Sequence, residues 1–208
     1  MVDVDMFGTS ENNIKTLVDA GHYVVCYIDL GTAEDWRPDY DQLVKYCPED
    51  SAYSDERWLD ITQWEFAPIM DDRLQEAKDK GYMGLEYDNI DCESYGANCV
   101  PGESISSLKP YEIAYLTYLA DKAHDLGMSV GMKNAVDLIT TIGDKFDWAI
   151  NESCAAYNEC GLYEPFKQAN KAVFGVEYDD GSKDCSSEQK DGIVMKYEEN
   201  EEWHNCSN

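Results

Sequence analysis

The sequence predicts an α/β fold of the (β/α)8 TIM-type barrel class, on three observations. Short β-branched or aromatic runs alternate with amphipathic helical stretches through most of the chain. Each of those runs finishes in a polar or charged residue, and no glycine-rich phosphate turn marks an open nucleotide-binding sheet. Alternation of this kind calls for parallel strands joined by helical crossovers. In a barrel the C-terminal ends of all strands meet at one face, where the active site is built, which gives every polar strand end a common destination.

Taken in order, seven runs read as strands, with their polar ends as candidate site residues. "VDVDMF" carries Asp5, "HYVVCYIDLG" carries Tyr27 and Asp29, and "RWLDI" carries Asp60. "GYMGLEYD" carries Glu86 and Asp88, followed by Asn89 and Asp91, and "MSVGMKN" ends in Lys133 and Asn134. "FDWAINE" ends in Asn151 and Glu152, and "KAVFGVEYD" in Glu177 and Tyr178. The helices between them have legible ends: Ser10 as N-cap with a stop at Gly21, an apolar stripe from Phe66 to Ala77 with a stop at Gly81, and Pro110 early in a helix that ends at Gly127. A chain of 208 residues, 43% hydrophobic, buries one sizeable core. It reads as a single domain over residues 1–208, expected to be a monomer, with a loop-rich, disulfide-tied tail from about residue 179.

Charge and cysteine usage bound the partners. With 43 acidic against 16 basic residues, the formal charge of −27 repels nucleic acid and anionic lipid and attracts cations. No stretch approaches a membrane span, and no signal peptide stands at the start. The eight cysteines include local couples, Cys92 with Cys99, Cys154 with Cys160 and Cys185 with Cys206, leaving Cys26 and Cys47. Such couples suit disulfides that staple loops in an oxidising compartment, so the chain is expected to be a secreted protein in a mature form. Neither CxxC couples nor paired histidines are present (His22, His124 and His204 are scattered), and neither acidic loop fits an EF-hand, so no metal and no cofactor is expected. Asn205, in "NCS", fits a glycosylation acceptor in a eukaryotic host, whereas Asn151, in "NES", would lie in the mouth.

Cleaving a glycosidic bond takes two carboxyl groups flanking the scissile bond, one to donate a proton and one to act as nucleophile or base. Asp88 and Glu152 sit on strand ends from which side chains can meet across a barrel mouth. The alternative for any single carboxylate is a structural ion pair with a neighbour such as Lys133 or Arg37. Crowding of Glu86 and Asp91 around Asp88 is expected to raise one carboxyl pKa. Fifteen tyrosines and five tryptophans supply rings on which sugars pack, Tyr27, Tyr87, Tyr178 and Trp36 lying at or beside strand ends.

The segments "VVCYIDLGTAEDWRPDYDQL", "RWLDI", "GLEYDNID", "AHDLGMSVGMKN", "FDWAINESC" and "FGVEY", in this order, resemble glycoside hydrolase family 114, the endo-α-1,4-polygalactosaminidases. The resemblance implies a (β/α)8 barrel and a secreted, retaining endo-hydrolase with Asp88 as nucleophile and Glu152 as acid/base. It also implies a substrate of α-1,4-linked, partly N-acetylated galactosamine polymer, cationic where its amines are free, as in fungal exopolysaccharide. Glu86, Asn89, Asp91, Lys133, Asn134, Glu177 and Tyr178 match strand-end positions that look like substrate contacts. Family members carry a further strand ahead of the one at Val2, so the expectation is a barrel without its first strand–helix unit, with the strands near residues 2–6 and 172–177 flanking a gap. Two other readings compete: a non-catalytic or inactivated carbohydrate-binding barrel, and an acidic, calcium-binding surface protein.

Overall fold

The computed structural model describes residues 1–50, 54–178, 192–199 and 202–205. They form two compact units, residues 1–130 and 131–208. Cys185 and Cys206, expected to pair, lie outside the described residues.

In the first unit, strands β1 (Val2–Asp5), β2 (Val24–Asp29) and β6 (Gly84–Asp88) run parallel in the order β1-β2-β6. Helices α1 (Glu11–Asp19), α3 (Ala67–Lys80) and α4 (Ile105–Asp125) belong to the same unit. Register sets the chemistry of the two sheet faces, because alternate residues of a strand share a side. Asp5 pairs with Tyr27, Tyr27 with Glu86 and Asp29 with Asp88, so acidic and phenolic groups gather on one face. Cys26, Ile28, Leu85 and Tyr87 occupy the other, fully buried or nearly so. The Tyr87 hydroxyl donates to the Leu119 carbonyl of α4 at 2.9 Å, which identifies this as the helix-covered face. Ile14, Met70, Leu74, Leu116 and Leu119 are all buried. Each such side chain is worth about 1.5–3 kcal/mol of transfer free energy.

Helix ends follow local sequence. The Ser10 side chain accepts from Asn13 N at 3.3 Å, and Gly81 closes α3 at φ 94°, which a glycine reaches without steric cost. Ser104 and Ser107 form a reciprocal cap, so α4 starts at Ile105 and Pro110 falls inside it.

In the second unit, β7 (Ser129–Lys133, from Gly131 onward), β8 (Trp148–Glu152), β9 (Val173–Glu177) and β10 (Val194–Glu199) are parallel, and β11 (Glu202–Asn205) runs antiparallel to β10. Short helices α5 (Ile139–Ile142) and α6 (Glu164–Gln168) connect them. Three parallel strands in the first unit and four in the second make seven.

Their membership differs from expectation in two places. "RWLDI" is not one of the seven. Its strand, β5 (Glu56–Trp58), is the middle of an antiparallel sheet between β3 (Thr32–Glu34) and β4 (Glu49–Asp50), the short helix α2 (Tyr40–Leu43) lying between β3 and β4 in the chain. The seventh is β10, within the segment expected to be loop, and it covers the edge of β9 that was expected to face a gap.

Candidate active site

The first unit builds its polar cluster at the C-terminal ends of β1, β2 and β6. Asp88 closes β6 and receives a short hydrogen bond from the Tyr27 hydroxyl. Asn89 follows in the left-handed region, φ 53°, and its side-chain amide donates to Asp29 Oδ2 at 2.6 Å and to Glu56 Oε2 at 3.2 Å. Asp29 is 1% exposed, and its other oxygen accepts from Gly31 N at 2.9 Å and Thr32 N at 2.8 Å. The loop it shapes presses against the residue after Asp88. A Cβ on Gly31 would stand 1.5 Å from the Asn89 carbonyl oxygen, so only glycine fits there.

Charge in this cluster is far from ordinary. Burial, then repulsion from Asp88 and Glu34, pushes the Asp29 carboxyl up to about 8. Burial likewise pushes Glu56 up to about 6, with Thr32 opposing and Glu34 and Asp88 adding to the rise. Arg37 is the local counter-charge: its guanidinium lies 2.8 Å from Glu34 and 2.6 Å from Asp5. Burial works against the Asp5 carboxylate, but the Arg37 hydrogen bond and charge together with the Gly8 and Phe7 backbone N–H groups outweigh it, and the Asp5 pKa falls. Asp29, Glu34 and Glu56 bring carboxylate oxygens within 4.8 Å of one another, a spacing a metal ion could use. Protein donors already serve all three, Thr32 and Asn89 on Asp29 and Glu56, and Arg37 on Glu34. The raised carboxyl beside Asp88 is thus Asp29, on the neighbouring strand, with burial as the first cause and Asp88 and Glu34, not Glu86 and Asp91, adding to it.

Other expected residues of this unit have separate surroundings. Glu86 is 5% exposed, on the same sheet face as Asp88. Asp91 is half-buried just past the turn. Asp60 lies beyond β5 and caps a turn, accepting from Thr62 N at 3.0 Å and Gln63 Nε2 at 2.6 Å.

The second unit centres on Glu152 at the end of β8. Tyr178, just past β9, donates a short hydrogen bond to Glu152 Oε1. Asn134 Nδ2 donates to Glu152 Oε2 at 3.1 Å, and Lys133 Nζ lies 3.4 Å from the same oxygen. Asn151 and Glu177 project from the other sheet face, since register sets Glu152 beside Val176 and Asn151 beside Gly175. Asn151 donates to Glu159 Oε1 at 3.0 Å and to the Tyr163 hydroxyl at 2.9 Å, while Glu177 accepts from Ala155 N at 2.8 Å. Both brace the loop after Glu152. That loop is closed by the Cys154–Cys160 disulfide, as the loop after Asp88 is by Cys92–Cys99, whereas Cys26 and Cys47 are free and buried.

Thr32, Glu34 and Glu56 escaped the sequence reading, and Arg37 entered it only as an ion-pair neighbour. The signal that could have found Thr32 and Glu34 is the string "GTAEDWR" after Asp29, in which an acid and a base three residues apart follow a strand end, whereas Glu56 lies outside it.

Comparison with known proteins places the chain in a family. The description "Glycoside-hydrolase family GH114" matches residues 1–206. The Aspergillus fumigatus protein Ega3, whose crystal structure is a complex with galactosamine, is 32% identical, with 98% of this chain and 86% of that chain covered and a TM-score of 0.85. The glycoside hydrolase domain of PelA from Pseudomonas aeruginosa is 12% identical over 96% of this chain and 87% of that one, with a TM-score of 0.74, a likeness of fold alone. A search of curated proteins gives no match. Among the described residues no helix is long and apolar enough to cross a membrane. Carrying that family's pattern over nearly its whole length, together with the TIM-type barrel fold, the chain belongs to glycoside-hydrolase family GH114.

Proposed function

We propose that this glycoside hydrolase cleaves α-1,4-linked galactosamine polymers at internal bonds outside the cell, with Asp88 and Glu152 as its carboxylate pair. The observation that carries the substrate class is the 32% identity, over 98% of the chain, to Ega3, a protein crystallised with galactosamine. Asp88 and Glu152 both stand at C-terminal strand ends, and each receives a tyrosine hydroxyl from the neighbouring strand or the residue just past it. A hydroxyl donor bound to a carboxylate oxygen fixes the orientation of the carboxylate.

In this reading Asp88 is the nucleophile. It attacks the anomeric carbon as Glu152 gives its proton to the leaving oxygen, and Glu152 then takes a proton from the water that releases the covalent intermediate. Lys133 Nζ, 3.4 Å from Glu152 Oε2, is the cation that faces the carboxylate left after proton donation. A formal charge of −27 attracts a polymer whose free amines are ammonium ions, raising its local concentration at low salt. The two loop disulfides fit an extracellular setting.

The deciding experiment incubates the chain, Asp88→Asn and Glu152→Gln with partly deacetylated α-1,4-galactosamine polymer and follows products by mass spectrometry and proton NMR. Oligosaccharides released by the parent chain alone, first seen as the α-anomer, match the proposal. Product from either variant at the parental rate removes that residue from the pair. A first-formed β-anomer replaces the retaining mechanism with an inverting one. Release that does not fall between 50 mM and 500 mM salt refutes the electrostatic recognition.

A further inference from the structure

We propose that Glu56, acting with Asp29, is a positioning residue for Asp88: the two carboxylates grip the side-chain amide of Asn89 and hold the left-handed turn that directly follows Asp88. The inference rests on the reading of Asp88 as catalytic. Asn89 adopts φ 53°, a region in which a residue with a Cβ needs outside support. That support is specific. An amide NH2 has two hydrogens, and here one goes to Asp29 Oδ2 at 2.6 Å and the other to Glu56 Oε2 at 3.2 Å. The backbone is pinned as well: Leu30 N donates to the Asp88 carbonyl at 3.2 Å, and Gly31 sits against the Asn89 carbonyl.

Glu56 does not come from a strand of the parallel sheet. It arrives on β5, where antiparallel pairing sets it directly opposite Glu34. Like charges opposed across a ladder are destabilising, so placing Glu56 there calls for a return elsewhere. Its oxygen finds one: Thr32 Oγ1 lies 2.6 Å from Asp29 Oδ2 and 3.2 Å from Glu56 Oε2. A hydroxyl has a single hydrogen to donate. With Asp29 holding its proton to about pH 8, Asp29 donates to Thr32 Oγ1 and the Thr32 hydrogen goes to Glu56 Oε2. A relay from Asp29 through Thr32 to Glu56 then closes beside the Asn89 amide, so the clamp responds to protonation. The groups facing Glu56 are Glu34 and Thr32 from β3, Asp29 from β2, Asp88 and Asn89 from β6 and, on its own segment, Asp55, with Arg37 reaching Glu34.

The test measures kcat, KM and their pH dependence on the galactosamine polymer for the whole chain and for Glu56→Ala, Glu56→Gln and Asp88→Asn, with thermal melts to establish folding. Glu56→Ala releases Asn89 and is expected to lower kcat on the order of 10- to 100-fold with KM little changed, the size of effect a small misplacement of a reacting group produces. Glu56→Gln keeps an acceptor for Asn89 and is expected to hold most of the parental kcat while losing a pH dependence centred near 6. Parental kcat and pH profile in Glu56→Ala, with Asp88→Asn inactive, overturn the positioning role alone. An active Asp88→Asn instead overturns the reading of Asp88 beneath it. Should Glu56→Ala fail to fold, the Glu56→Gln profile decides, an unchanged limb near pH 6 counting against the proposal.

Discussion

Asn134 and Glu152 hold each other twice. The Asn134 amide donates to Glu152 Oε2 at 3.1 Å, and the Glu152 backbone N–H donates to Asn134 Oδ1 at 2.9 Å. The reciprocal pair fixes both the side-chain rotamer of Glu152 and the amide orientation of Asn134, which itself sits at φ 48°. Asn134→Asp keeps the acceptor and loses the donor, setting a second carboxylate against Glu152. If Glu152 is the proton donor, this variant is expected to lower kcat on the order of 100-fold, the scale of general acid–base catalysis. The check is a kcat profile from pH 4 to 9 beside the parent.

Removing one tyrosine hydroxyl probes each carboxylate separately. Tyr27→Phe deletes the donor to Asp88, and Tyr178→Phe the donor to Glu152. A hydrogen bond to a charged group is worth about 1.5–3 kcal/mol, so each variant is expected to lose about 10- to 100-fold in kcat/KM. Loss in Tyr27→Phe concentrated in glycosyl-enzyme formation supports Asp88 as nucleophile. Pre-steady-state measurement with an activated fluoride donor reads that step directly.

What the sequence discloses of these groups follows from the range of the interactions. Asp88 and Glu152 stand out because a polar residue ending an apolar run is a local pattern, and the same pattern located six of the seven parallel strands. Strand β10, "VMKYEE", hides behind its charge: Lys196 and two glutamates read as tail until pairing with β9 is known. "RWLDI" has the composition of a barrel strand, but its partners are decided by two short antiparallel neighbours that composition cannot supply. Glu34 and Glu56 are 22 positions apart and meet only through that pairing. Asn151 and Glu177 show the opposite failure, in which the right strand end carries a side chain on the wrong face, because one step along a strand reverses its direction.

Arg37 ties the loop after β2 to β1. Its guanidinium spans Glu34, 2% exposed, and Asp5, and stands 5.0 Å over the Phe7 ring. Arg37→Met keeps the bulk and leaves Glu34 buried without its cation, a change expected to cost about 3–5 kcal/mol. Glu34→Gln in the same chain removes the stranded charge and is expected to restore part of the loss. Urea unfolding of the parent, both single variants and the double variant measures that coupling, and strict additivity would argue against a working ion pair.

Glu112 carries the clearest pH dependence of stability. It is 1% exposed on α4, its Oε2 accepts from Glu93 N at 3.3 Å, and burial, then repulsion from Asp91, holds its pKa well above the ordinary 4.5. In the unfolded chain this carboxyl ionises near 4.5, whereas in the fold it keeps its proton to higher pH. Between those two values the folded state binds more protons than the unfolded one, so the stability it retains below pH 4.5 is progressively lost as pH rises toward the folded value. Glu112→Gln is neutral at every pH and keeps a carbonyl oxygen for Glu93 N. The variant should therefore match the parent near pH 4 and exceed it at pH 7 to 8, by about 1.4 kcal/mol for each unit of the pKa difference traversed. Melting temperatures of both proteins across pH 4 to 8 test this, and curves that stay parallel would show that Glu112 ionises alike in the folded and unfolded chain.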